Sequence, residues 1–197
     1  MTLFDSWANA KAGSRQDIAA GQAIFNSHPL TITNVRGLND NAALGKPAAI
    51  TGNCTTCHDT PNVGDHSLPL PLDISTGHDA ANEGDPLVAS GLSQLSMPDL
   101  PVFEITGCPN PFAASGAAAE TLTIYTTDPG KGLLTGLCSD VNRIKGPVLR
   151  GLAARAPYFH NDAAQNLNEL VNFYNQRFQM NLSDREKQQL IAFLNAL

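Results

Sequence analysis

Positive charge is scarce in this chain: 12 lysines and arginines stand against 18 aspartates and glutamates in 197 residues, a formal net charge of −6. Such a surface argues against nucleic acid as a partner. Long apolar runs are missing too. Nowhere do 18 apolar residues follow one another, so no segment reads as a membrane span. The opening MTLFDSWANAKAG has neither the basic start nor the apolar stretch of an export leader. No internal repeat occurs. The length fits one domain, or one domain with a generous insertion, and 16 glycines and 13 prolines predict a loop-rich build.

What is present begins with GNCTTCHDTPN, Gly52 to Asn62. Two cysteines three positions apart face the same side of one helical turn, where their thiols can form thioethers with two vinyl groups. The histidine that follows then points its imidazole at an iron. Cys54, Cys57 and His58 therefore read as a covalent haem c site with His58 as the proximal ligand. A zinc site would want two more ligands at short spacing, and a redox dithiol would not require the histidine. The motif occurs once, which predicts one haem. Haem is attached outside the cytoplasm, so a periplasmic or otherwise exported protein is expected, with Met1 standing where a leader was removed. The other nitrogen of His58 should meet a backbone carbonyl, with Pro61 or Leu68-Pro69 as the candidate source.

Cys108 and Cys138 are left over, thirty positions apart. An even remainder in an exported chain reads as a disulfide; two unrelated buried thiols are the plainer alternative. Asp5 to Asn26 looks helical, with Gly21 placed where another helix could cross. Asn166 with Glu169, and Ser183 with Glu186, are capping pairs that open two late helices. Phe25 and Phe193 should meet where the first and last helices cross. Glu120 to Tyr125 alternates like a short strand. Thr31 to Thr51 reads as a mostly polar insertion, and Asp59 to Gly116 as loops long enough to wrap a large apolar object.

Lys145 to Phe178, KGPVLRGLAARAPYFHNDAAQNLNELVNFYNQRF, resembles the second haem domain of the bacterial dihaem cytochrome c peroxidases and of MauG-type proteins. The preceding TTDPGKGLLTG and the closing LSDREKQQLIAFLNAL extend the likeness over most of Thr126 to Leu197. Asp162-Ala163 departs from the family's usual Gly-Ser, and the first haem domain has no counterpart. The resemblance implies a mainly α, cytochrome c-like helical fold with long loops wrapping one haem. Residues 1–197 would then form a single monohaem domain, with loop-rich insertions at about 27–52 and 62–125. It also implies electron relay rather than peroxide chemistry, since the second domain of those proteins relays electrons.

In that family the second haem's distal ligand lies fourteen residues after the PYFH histidine. Here that register falls on Tyr174, which also shares an apolar stripe with Leu167, Leu170 and Phe178. A core tyrosine with another hydroxyl partner is the competing reading. Met97, 39 residues after His58 and before a proline, and Met180 are the alternative ligands. Arg150, with Lys145 and Arg155 nearby, is the candidate propionate contact, against a merely solvated basic turn. His160 is a ligand, a haem-edge hydrogen-bonding group or a structural histidine.

The expected function is a monohaem c-type cytochrome passing electrons between redox partners, namely a dehydrogenase, an oxidase or another cytochrome. An acidic chain suits a partner with a basic patch. The alternative is a haem enzyme of peroxidase or MauG-like type, with a tyrosine-ligated or open distal site and Glu83, Glu104 or His160 as acid or base. A domain or subunit of a larger redox assembly is a third reading.

Overall fold

The computed structural model describes residues 14–58, 68–78, 100–109 and 121–197. In chain order these form α1 (Ser14–Ser27), β1 (Leu30–Ile32), β2 (Ile50–Gly52), β3 (Phe103–Pro109), β4 (Thr121–Thr126), α2 (Gly132–Thr135), α3 (Leu167–Arg177) and α4 (Asp184–Ala196). Short 3-10 turns fall at Ala42–Leu44, Cys54–Thr56, Cys138–Asp140 and Leu152–Ala154.

The helices form where local chemistry asks for them. Asn166 caps α3 by accepting the Glu169 N–H, and Ser183 caps α4 through a reciprocal box with Glu186. Helices α1 and α4 cross at Gly21, where a methyl group would collide with the Gln189 carbonyl and lie 2.8 Å from Phe193 Cβ. Beside that crossing the Phe25 and Phe193 rings sit 5.3 Å apart. The part of the expected first helix before residue 14 lies outside the described residues.

A mainly α, cytochrome c-like fold does not describe the molecule. Among the described residues 38% are helical and 18% lie in strands and bridges, with two antiparallel two-stranded sheets. Strands β1 and β2 pair Leu30 with Gly52 and Ile32 with Ile50. The segment read as a polar insertion thus supplies Ile32, Val35 and Leu38 to the main core. Strands β3 and β4 form a hairpin whose register shifts between Ile105 and Cys108. Gly107 at φ 75° supplies the positive-φ residue such a bulge needs. Only β4 matches an expected strand; β3 falls in the stretch read as loop.

The hairpin has its own small core of Cys108, Ile124 and Val141. A Cys108–Cys138 disulfide ties it to the turn after α2. Arg36 links this region to the main core, donating to the carbonyls of Ser139 at 2.8 Å and Val141 at 3.2 Å and lying 3.5 Å from Asp73. Buried Asp73 also takes His78 Nε2 at 3.0 Å and the Ser75 N–H at 2.9 Å. Segment 68–78 is tied to its neighbours by the Asp73 N–H donating to the Arg36 carbonyl at 3.0 Å, the Leu72 N–H donating to the Ile144 carbonyl at 2.9 Å and Arg177 Nε donating to the Ile74 carbonyl at 3.2 Å.

Candidate functional site

Strand β2 leads straight into the Cys54–Thr56 turn, which is closed by the Asn53 N–H donating to Thr56 Oγ1 at 3.0 Å. This turn carries Cys54, Cys57 and His58 to the edge of a cavity of about 430 Å³, within the roughly 300–1,000 Å³ typical of cofactor sites. Its walls are apolar: Phe25 of α1, Ile32 of β1, Leu170, Val171 and Tyr174 of α3, and Leu190 and Leu194 of α4. The large apolar object that the loops were expected to wrap has a matching space. Loops supply much of its lining, with Leu68, Leu70, Leu72, Ile74 and Thr76 from segment 68–78 and further residues from Ile144 to His160, while the helices and β1 supply the rest.

Cys54 and Cys57 are half-buried and unbridged. Burial pushes the Cys54 thiol up to about 12, with Cys57 adding to the rise, and burial raises Cys57 as well. Both are protonated thiols at neutral pH. His58 moves the other way: burial lowers it from 6.5 to about 4, so its imidazole is neutral and offers a lone pair at physiological pH. The Pro147 carbonyl opposes this fall. At the buried Nδ1 itself no partner stands in hydrogen-bonding geometry, so that carbonyl is near but poorly aligned. Pro147, not Leu68-Pro69, is therefore the neighbouring carbonyl source; Pro61 lies outside the described residues. Its clue was the GPVLRG run itself, which sequence reading searched for cations and not for a carbonyl.

Of the three cations singled out, Lys145 and Arg155 line the cavity. Arg150 is half-buried, makes contacts of its own and is not among the lining residues. His160 also lines the cavity, with Nδ1 3.0 and 3.1 Å from the two oxygens of buried Asp128. The PYFHND turn reaches this arrangement through left-handed backbone at Phe159 (φ 68°) and Asp162 (φ 60°). At position 162 the family resemblance expects glycine. Aspartate is among the few other residues that enter that region readily, so the departure keeps the turn.

Tyr174 and Met180 both line the same cavity as His58. Tyr174 packs on Phe173 (5.7 Å) and Phe178 (5.6 Å), and burial, reinforced by Cys57 and Cys54, raises its phenol above the ordinary value. It is a neutral phenol that would ligate only against a cation. Met180 is 3% exposed, and its carbonyl oxygen lies 2.7 Å from His28 Nε2. Met97 and Glu83 lie outside the described residues. Glu104 is exposed on β3 and does not line the cavity.

Two thiols, a neutral imidazole with a buried Nδ1 awaiting a partner, and an apolar space with two cations at its edge fit a haem. The disulfide removes Cys108 and Cys138 from any zinc site built on Cys54 and Cys57. A haem here would supply a reversible one-electron couple; the chain would supply its ligands, its exclusion of water and its charge partners.

No family model matches the chain, and no solved structure matches it. It is 28% identical over 218 aligned residues to the cytochrome-c peroxidase IdrP2 of Pseudomonas sp. (strain SCT), covering 99% of this chain and 52% of that protein. It is 38% identical over 78 residues to the cytochrome-c peroxidase IdrP2 of Denitromonas iodatirespirans, covering 36% of this chain and 21% of that protein. The chain thus spans about half the length of one relative and about a fifth of the other. No helix among the described residues is long and apolar enough to cross a membrane. What the likeness supports is a cytochrome c peroxidase-like protein with haem-related chemistry.

Proposed function

We propose that the chain is an exported, haem c-binding electron carrier with one haem bound as thioethers through Cys54 and Cys57. His58 is the proximal ligand and Tyr174 the second ligand. The observation that carries this reading is the convergence of two thiols, a neutral imidazole and two further ligand-type side chains, Tyr174 and Met180, on one apolar cavity. If His58 and one of these side chains both held the iron, peroxide would find no open position on it. The single Cys-x-x-Cys-His and the likeness to a relay domain agree with that. Its partners would be redox proteins that exchange electrons at the haem edge.

A second reading is a peroxidase, and the names of both relatives favour it. Ferric spectra of the wild type, Tyr174→Phe, Met180→Leu and Met97→Ala, with carbon monoxide binding and peroxide turnover, separate the two. The carrier reading expects a low-spin spectrum that Tyr174→Phe alone abolishes, with slow carbon monoxide binding. Rapid carbon monoxide binding with peroxide turnover in the wild type would favour the enzyme.

A further inference from the structure

The chain is acidic overall, yet among the described residues that line the cavity there is no aspartate or glutamate, while Lys145 and Arg155 are both there. Four other cations are tied to carboxylates: Arg36 to Asp73, Lys131 to Asp140, Arg143 to Asp40 and Lys187 to Asp184. Neither Lys145 nor Arg155 has such a partner among the described residues, and both are exposed. Arg155 is not free to wander, because Nη2 donates to the Val148 carbonyl. That bond leaves other guanidinium N–H groups for a ligand. Asp128, the carboxylate that holds the lining residue His160, is buried and committed to His160 Nδ1 and to the Gly130 N–H at 3.0 Å. It braces the His160 ring, and Nε2 is the nitrogen left over.

We propose that Lys145, Arg155 and the Asp128-braced His160 form the carboxylate-binding end of the cavity. They hold the acid groups of the cofactor, with Arg155 in the part that the sequence pattern assigned to Arg150. The proposal rests on the haem reading and adds its orientation: the apolar body lies against α3 and α4, and the acid end lies at the PYFH turn. A cation beside those groups favours the ferrous form, because ferric haem carries one more positive charge.

The test uses the holoprotein, exported from a host that attaches haem, with Arg155→Gln, Lys145→Gln, the double variant, His160→Gln, Arg155→Lys and Arg150→Gln. Covalent haem per chain and the midpoint potential are measured on each. The potential is expected to fall in Arg155→Gln and Lys145→Gln, to fall further in the double variant, and to recover in Arg155→Lys. Arg150→Gln should leave it near the wild-type value. Free protoporphyrin IX should bind the haem-free Cys54→Ser/Cys57→Ser chain more tightly than its dimethyl ester does, and the double charge variant should erase that preference. An unchanged potential in a haem-loaded double variant, or a larger shift from Arg150→Gln, overturns the proposal and leaves the haem reading standing. A wild type that takes up no haem overturns both.

Discussion

At position 162 the backbone is left-handed, φ 60°, a conformation that costs most L-residues about 1–2 kcal/mol and aspartate less. Asp162→Gly is expected to keep or raise the melting temperature, whereas Asp162→Val should lose about 1–2 kcal/mol; thermal melts of the pair decide. His58 gives a pH signature in the haem-free Cys54→Ser/Cys57→Ser chain. Its folded value, about 4, lies below its ordinary 6.5. The unfolded chain therefore binds the extra proton first as pH falls. Stability from this group is complete above 6.5 and is lost between 6.5 and about 4. Denaturant midpoints should fall across that window, and His58→Gln should flatten the fall. An unchanged slope in His58→Gln would show that the imidazole is not buried neutral.

Among the elements, the α1–α4 crossing is the most exacting. Gly→Ala in a helix interior ordinarily gains up to about 1 kcal/mol. At Gly21 the added methyl meets the Gln189 carbonyl and the Phe193 stem, and overpacking of that kind costs about 1–3 kcal/mol. Gly21→Ala is thus expected to destabilise in urea melts. At the start of α4, Ser183→Ala should cost about 1 kcal/mol. The Ser183 hydroxyl and N–H hold the Glu186 carboxyl below its ordinary value. That part of the cap is present above the ordinary carboxylate range and is lost as pH falls through the depressed one. Opening the disulfide by Cys108→Ser with Cys138→Ser, a separation of 30 residues, should cost about 3–4 kcal/mol in the chain-entropy model. The late helices were legible because caps and apolar stripes are local properties of the chain. Strand β3 was not, because Gly107 and Pro109 look like loop residues until β4 pairs with Pro109 and leaves Gly107 in the bulge. Strands β1 and β2, three residues each, are defined mainly by each other.

Across the whole molecule, the Cys-x-x-Cys-His motif could be read from five consecutive residues, but its surroundings could not. Pro147 is 89 positions from His58 in the chain, and only folding brings its carbonyl beside the ring. Spacing within LRGLAAR likewise does not say whether Arg150 or Arg155 turns toward the cavity; the Leu152–Ala154 turn decides it. The same turn changes the charge argument. A net charge of −6 suggested a basic partner, yet the cavity edge itself carries cations and no acid among the described lining residues. All of this depends on the cofactor, so the most direct test is the mass and iron content of the exported chain after acid–acetone extraction, beside Cys54→Ser/Cys57→Ser. One iron per chain and a mass increased by one haem that survives extraction, both lost in the double variant, is the expected result. Iron or porphyrin that extracts completely, or zinc in its place, would contradict it.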